Sequence, residues 1–353
     1  MLSTGLFFAA GIILLLGGAH LLVSSSSALA VRFGIPAIFI GVTVVAFATS
    51  APEIAVSLDA VLNDRAGLAL GNVIGSNIAN ILLILGVSAV ISPIKVTRRV
   101  IRLDIPIMIF ASVILYLLAL DQKLQPVDGI IMLVLFTGFI VFQIQQARRG
   151  KNRAIYDDVS EELAPGVNPY LQAFMLILGL ALLALGAHWL VESAIVIARI
   201  WGMSELIIGL TIVAIGTSLP ELATSVLAAG RNESDLSVGN VIGSNIFNIL
   251  LVLGISAFFS SDGLPISTAA LALDLPFMLA VSIACLPIFF TGHIIARWEG
   301  AVFLGYYAAY LLYLFLDATQ HEYLPLFNEV MIIFIVPITI LTLLIFTVRS
   351  WKN

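Results

Sequence analysis

The chain has 353 residues, 61% of them hydrophobic and 10% charged, with a mean hydropathy of +1.12 and a formal net charge of −5. That balance excludes a soluble globular domain and describes a polytopic membrane protein; the few charges crowd into connecting loops, so no basic face for nucleic acid forms. The single cysteine, Cys285, lies in an apolar run, which excludes an internal disulfide and a thiolate metal centre and leaves a small buried apolar residue.

Apolar runs long enough to cross a bilayer, about 20 residues, are predicted near 4–30, 36–62, 66–91, 103–120, 127–147, 169–199, 204–230, 235–258, 270–290, 298–316 and 329–348. The first run ends in Ala28-Leu29-Ala30, which has the form of a leader-cleavage site. No basic segment precedes it, however, and Gly18-Ala19-His20-Leu21-Leu22-Val23 returns 168 residues later as Gly186-Ala187-His188-Trp189-Leu190-Val191. We therefore read it as the first span of a repeat.

Two longer phrases recur at the same offset. The run from Gly41 through Ala46 and Thr49-Ser50-Ala51-Pro52-Glu53 returns from Gly209 through Ala214 and Thr217-Ser218-Leu219-Pro220-Glu221, and Gly-Asn-Val-Ile-Gly-Ser-Asn-x-x-Asn starts at both Gly71 and Gly239. Further on, Leu103-Asp104-Ile105-Pro106 matches Leu273-Asp274-Leu275-Pro276, and Asp128-Gly129 matches Glu299-Gly300, with the offset drifting to 170 and 171. Five spans per copy is an odd number, so the second copy enters the membrane from the opposite side. The expected fold is an all-α polytopic membrane protein of two inverted-topology repeats of five transmembrane helices plus a C-terminal eleventh helix. The expected division is 1–147 for the first half, 148–168 for a linker, 169–316 for the second half, and 317–353 for a loop and accessory helix.

Charge bias tests this reading separately. With the N-terminus outside, thirteen of the sixteen Lys and Arg fall in inner loops or the C-terminus, and only Arg65, Lys123 and Arg199 fall outside, which favours that orientation. The linker is basic first and then acidic at Asp157, Asp158, Glu161 and Glu162; it is too short to fold alone and reads as a solvated connection.

Pro52 and Pro220 sit mid-span, where each removes a backbone donor and leaves the carbonyls of Ala48 and Gly216 without helical partners. Ser50-x-x-Glu53 and Ser218-x-x-Glu221 also have the form of capping boxes with Pro in the first turn. A structural restart would suffice in water, but in a bilayer irregular backbone persists only where protein buries it or it lines a wet cavity. A carboxylate there costs roughly 3 kcal/mol on insertion scales, so a duplicated pair marks function.

The spacing places Thr49 with Glu53, Thr217 with Glu221, Ser76 with Asn80, and Ser244 with Asn248 at four-residue intervals, one helical face each. Oxygen donors alone select hard cations, and the looser geometry of calcium, or sodium on the same oxygens, suits such a cage better than octahedral magnesium. Gly71 and Gly75, like Gly239 and Gly243, fit close helix packing, which would bring the neighbouring serines and asparagines against the broken helix. Asn72, Asn77 and Asn80 would be costly without partners. His20 and His188 lack a second metal ligand at helical spacing; Asp104 and Asp274 read as helix-start residues, and Asp59 and Glu192, near span ends and without acidic counterparts in the other copy, either line an access path or are simply interfacial.

These paired motifs resemble the alpha-repeats of the sodium/calcium exchanger family, within the calcium/cation antiporter superfamily, and most closely its compact prokaryotic members. The resemblance implies a secondary active antiporter in the prokaryotic plasma membrane, neither an enzyme nor cofactor-dependent, exchanging Na+ for Ca2+ without an obligatory protein partner. It implies a calcium site of Glu53, Glu221, Thr49 and Thr217. Sodium would use overlapping ligands with Ser50, Ser76, Ser218 and Ser244 and the carbonyls of Ala46 and Ala214, while Asn80 and Asn248 complete the centre. Some relatives carry Asp at the position of Asn248, which leaves H+ participation and potassium dependence open. A proton-driven or Mg2+ antiporter of the same fold and a passive cation channel are the alternatives. An intramembrane hydrolase with Ser76 as nucleophile and His20 as base leaves the duplicated glutamates without a role.

Overall fold

The computed structural model describes residues 2–63, 65–150, 168–201, 214–339 and 341–342. The first half consists of α1 (Leu2–Phe33), α2 (Ala37–Thr49), α3 (Ala51–Leu62), α4 (Ala66–Ile91), α5 (Val100–Asp121) and α6 (Pro126–Gly150). The second consists of α7 (Pro169–Ile200), a helical turn at Ala214–Gly216, α8 (Leu219–Gly230), α9 (Ser234–Phe259), α10 (Ala270–Phe290) and α11 (Arg297–Ala318), followed by α12 (Leu324–Thr339). Eight of these are each long and apolar enough to span a bilayer, and α2 with α3 forms a further span bent by 42°. The start of the expected span 204–230 and the end of 329–348 lie outside the described residues, so the expected count of eleven is not met in full among those described.

The halves are related by a two-fold axis, which can be followed contact by contact. A Cβ on Gly18 would fall 2.7 Å from the Gly179 carbonyl, and one on Gly11 would fall 2.9 Å from that of Gly186. Gly11 and Gly179 are repeat counterparts, as are Gly18 and Gly186, so this contact maps onto itself with α1 and α7 antiparallel. A helix crossing its own copy head to tail requires an axis perpendicular to both, which is an inverted topology. The four short strands agree. β1 (Ile94–Lys95) pairs with β4 (Ile294–Ile295), and β2 (Lys123–Leu124) pairs with β3 (Leu264–Pro265), both antiparallel. Each pair joins two non-equivalent connections, which lie on the same side of the membrane only if one half is upside down.

The glycines explain the close crossings: lacking Cβ atoms, Gly86 and Gly300 allow the backbones of α4 and α11 to meet, and Gly129 and Gly254 do the same for α6 and α9. Around the crossings lies one apolar core that includes Ile78, Ile81, Ile105, Met108, Leu253 and Phe289. The outward faces of α1 and α7 carry Leu6, Phe7, Ile13, Phe174 and Ile177 exposed, a surface that only lipid accommodates. π-helical turns at Asn80–Leu85 and Asn248–Val252 widen α4 and α9 at equivalent places.

Asp104 and Asp274 do not act as helix-start caps. Both have helical backbone angles and no side-chain cap bond. Instead Asp104 is buried, accepts from Gln143 Nε2 at 3.0 Å and faces Arg99 Nε at 3.7 Å, while the guanidinium of Arg99 lies 3.4 Å from the Phe39 ring centroid. Asp274 accepts from the Tyr310 hydroxyl at 3.3 Å. A carboxylate at membrane depth requires a donor, and these neighbours supply one more effectively than two backbone amides already committed to π turns.

Candidate functional site

Each broken helix arises from a single residue. Ser50 (φ −81°, ψ 5°) and Ser218 (φ −89°, ψ 7°) leave helical geometry at equivalent places, Pro52 and Pro220 follow within the first turn of α3 and α8, and the breaks direct Glu53 and Glu221 inward. The expected capping boxes are not formed: neither serine makes a side-chain cap bond, and their ψ values near zero differ from the extended angle a cap adopts. Ser50 Oγ instead donates across the two-fold to Glu221 Oε1 at 3.4 Å. Ser76, Ser218 and Thr217 surround Glu53, but neither Glu53 oxygen has a hydrogen-bond partner, nor do Glu221 Oε2, Ser76 Oγ and Ser218 Oγ.

Both carboxylates are fully buried, at 0% exposure. Two unpaired acids at this depth in apolar surroundings are unfavourable without a cation. Three of the four carboxylate oxygens lack a protein donor, and no group of three or more His, Cys, Asp or Glu forms among the described residues, so any cation here would rest on these two acids and on hydroxyl, amide and carbonyl oxygens.

Asparagines from α4 and α9 brace the breaks. Asn72 Nδ2 donates to the Glu53 carbonyl at 3.4 Å and Ser57 Oγ at 3.0 Å, and Asn240 Nδ2 to the Glu221 carbonyl at 3.4 Å and Ser225 Oγ at 2.9 Å. Their oxygens accept from the opposite half: Thr49 Oγ1 donates to Asn240 Oδ1 at 3.0 Å, and Thr217 Oγ1 to Asn72 Oδ1 at 3.3 Å. Thr49 also lies 3.5 Å from Ser244 Oγ. Deeper in, Asn80 Nδ2 donates to Asn245 Oδ1 at 2.9 Å, Asn245 Nδ2 donates to the Met108 sulfur at 3.5 Å, and Asn77 Nδ2 to the Met278 sulfur at 3.6 Å.

Of the expected ligands, Glu53, Glu221, Thr49, Thr217, Ser50, Ser76, Ser218 and Ser244 meet around the two breaks. Asn248 is buried with its amide unpartnered, whereas Asn80 is engaged with Asn245. The Ala46 carbonyl already accepts from the Ser50 amide at 3.0 Å and Thr49 Oγ1 at 3.4 Å, and Ala214 begins the helical turn before the second break. Sequence reasoning missed the bracing serines Ser57 and Ser225. They stand 168 residues apart, so the duplication that singled out the glutamates also marked them. His20 and His188 are exposed, and Asp59 pairs with Arg65 at 3.2 Å at the surface.

The two faces of the site differ. Gly239 and Gly243 of α9 are buried, and Cβ atoms there would meet Ile38 and Val42 at 3.1 Å and Ala46 at 2.7 Å. Their counterparts on α4, Gly71 and Gly75, meet no described atom within 4 Å, and Gly71 is exposed. A cavity of about 410 Å³ lined by Gly67, Gly71, Ile74, Asp274 and Tyr310 opens beside them. The α2 side is sealed, with α9 receiving the broken helix and α1 packed against α8; on the α4 side most of the repeat equivalent of α2 lies outside the described residues.

A family model described as sodium/calcium exchanger protein matches residues 3–145 and 171–316. The chain is 34% identical over 341 residues to sodium/calcium exchanger MaX1 of Methanosarcina acetivorans, covering 86% of this chain and 96% of that one. It is 40% identical over 290 residues to the putative antiporter CaxA of Alkalimonas amylolytica, covering 81% and 89% respectively. A solved structure of the sodium-calcium exchanger NCX_Mj, soaked with zero Na+ and Ca2+, superposes with a TM-score of 0.74 at 33% identity, covering 87% of this chain and 98% of that one.

Proposed function

The chain belongs to the sodium/calcium exchanger family and is a cation antiporter, and from that premise we propose how its residues exchange Na+ for Ca2+. Glu53 and Glu221, one from each inverted half, hold Ca2+ together with the hydroxyls of Thr49 and Thr217. Sodium ions take the same carboxylates with Ser50, Ser76, Ser218 and Ser244, the carbonyls of Ala46 and Ala214, and the amides of Asn80 and Asn248. The observation that carries this reading is the pair of buried carboxylates whose oxygens lack protein donors on three of four atoms.

Exchange follows from charge. Two carboxylates balance one divalent cation or two monovalent ones, so calcium and several sodium ions compete for one centre. An empty centre carries two uncompensated charges, which the low-dielectric interior penalises strongly, so reorientation without cargo is suppressed. Oxygen-only coordination of mixed type favours calcium over magnesium, which demands stricter octahedral geometry.

We further infer that 1–147 and 169–316 act as the two transport halves, joined by a cytoplasmic linker at 148–168, with 317–353 accessory. The orientation that fits the Lys and Arg distribution has the N-terminus outside and the C-terminus cytoplasmic, in a prokaryotic plasma membrane; the sealed face is then cytoplasmic. The test is calcium uptake into proteoliposomes under an imposed sodium or proton gradient. Uptake driven by outward sodium supports the reading, and uptake that follows only the proton gradient, or that needs no counter-ion, overturns it.

A further inference from the structure

On the sealed face, the connection between α8 and α9 grips α1. Arg231 Nη1 donates to Ser24 Oγ at 2.7 Å, Arg231 Nη2 reaches the His20 ring, and Ser27 Oγ donates to Glu233 Oε2. His20, Ser24 and Ser27 are spaced by four and three residues, hence on one helical face. α1 packs extensively against α8 there, whereas the equivalent packing of α7 against α3 on the opposite face is marginal among the described residues.

The repeat gives four of these five residues a polar counterpart, while Ser27 corresponds to apolar Ile195. His20 corresponds to His188, Ser24 to Glu192, Arg231 to Asn63 and Glu233 to Arg65. In the structure this second set is disengaged. Glu192 and His188 are exposed, while Arg65 and Asn63 both turn to Asp59 of α3, the former at 3.2 Å and the latter at 3.0 Å. The Arg65–Asp59 pair is open to solvent on both sides, 60% and 66% exposed, and such a pair is held weakly enough to exchange partners. Two halves of one sequence cannot both adopt the sealed arrangement around a shared site, and an inverted repeat reaches its other state when the halves trade conformations.

We propose that Arg231 and Glu233 are positioning residues that hold α1 while the present face is sealed, and that Arg65 leaves Asp59 to pair with Glu192 on α7 when the opposite face seals. The two polar clamps are then mutually exclusive. The charges have changed from one repeat to the other, but each clamp sets an arginine from a connecting loop against a polar side chain at the same position of a long, lipid-facing helix. This goes beyond the ion-site assignment, since it names what holds each state rather than what is transported.

The test uses the full chain with Cys285→Ser, which removes the one native thiol. The double variants Ser24→Cys/Arg231→Cys and Arg65→Cys/Glu192→Cys are reconstituted and treated with a short bifunctional methanethiosulfonate in sodium, in calcium and without either. The reagent's short spacer replaces the reach of the truncated side chains, which a direct disulfide, limited to Cα atoms within about 7 Å, does not cover. The expected result is that both pairs cross-link, that any ion condition raising the yield of one lowers the other, and that each cross-link stops exchange until reductant restores it. Exchange in the reduced proteins reports on the antiporter reading separately. If Arg65→Cys/Glu192→Cys fails to cross-link in every condition while Ser24→Cys/Arg231→Cys does, or if its cross-link leaves exchange intact, the proposal is overturned. The charge swap Arg65→Glu/Glu192→Arg provides a second measurement: Glu192→Gln slows turnover about two- to fivefold, the size of a partly exposed ion pair, and the swap recovers it. Failure of the swap in a folded protein whose pair also does not cross-link counts against the clamp.

Discussion

Adding one methyl group at either of two equivalent glycines is expected to push the exchanger in opposite directions. Gly243 lies where α9 meets the sealed half of the broken helix, and a Cβ there would come 2.7 Å from Ala46 Cβ and 2.7 Å from the Val42 carbonyl. Ordinary contact begins at 3.4 Å, so α2 must retreat by about 0.7 Å against a backbone carbonyl that has no rotamer to yield. Overpacking of this kind costs about 1–3 kcal/mol, which displaces a two-state equilibrium about 5- to 150-fold. Gly75, its counterpart, meets no described atom. Gly75→Ala therefore meets none of the described atoms in the present state, Ala214 included, and is penalised when α4 receives its own broken helix near Ala214. Gly243→Ala should favour sealing of the α4 face, and Gly75→Ala should hold that face open. The readout is the rate at which a membrane-impermeant maleimide labels Leu68→Cys, on the exposed face of α4, in a Cys285→Ser background. Labelling falls in Gly243→Ala and holds or rises in Gly75→Ala, while both slow exchange. Because each glycine precedes an equivalent serine, a direct effect on ion binding would move both variants the same way; shifts of the same sign would refute the two-state reasoning.

Glu53→Gln and Glu221→Gln should each reduce calcium uptake to background while the protein still purifies as a folded monomer-sized or larger species, since amide and carboxylate are nearly isosteric; uptake retained in both ends the site assignment. Ser50→Ala removes the donor to Glu221 Oε1, a long bond at 3.4 Å, and should raise the sodium concentration for half-maximal exchange about threefold to tenfold, the net size of one ordinary hydrogen bond; an unchanged sodium dependence counts against its role. Asn245→Ala leaves the buried Asn80 amide without its acceptor and should cost about 1–3 kcal/mol, visible as a lower melting temperature in detergent. Burial raises the Glu233 carboxyl above its ordinary 4.5, although Ser27 and Arg231 pull it down. A value higher in the fold than in the unfolded chain contributes stability at low pH and loses it as pH rises through the folded value. Melting temperatures of wild type and Glu233→Gln should therefore diverge from about pH 4.5 upward, with wild type losing relative stability; parallel profiles would remove that carboxyl from the account.

Much of the architecture was written in the chain because a duplicated gene fragment leaves a count. The 168-residue offset paired the broken helices and the glycine-rich helices, and an odd number of spans per copy forced inversion before any contact was known. Hydrocarbon makes that inference unusually secure, since every polar group at membrane depth needs a partner and few substitutions escape the constraint. The same logic identified Glu53 and Glu221.

What the sequence left open was where each polar group turns once the halves meet. Ser50-x-x-Glu53 has the pattern of a local cap, but a cap is one of two uses for the same hydroxyl, and the nearness of Glu221, 168 residues beyond Glu53, decided for the other. Asp104 likewise found Arg99 and Gln143 across helices rather than the start of its own. Local patterns list the bonds a residue is able to make within a few turns, whereas partner choice depends on distances set by packing of remote segments. The difference between the faces is of the same kind. Two nearly equal copies encode a symmetric molecule, and only the packed chain reveals that Ser24 of α1 is bound by Arg231 while its counterpart Glu192 on α7 is exposed.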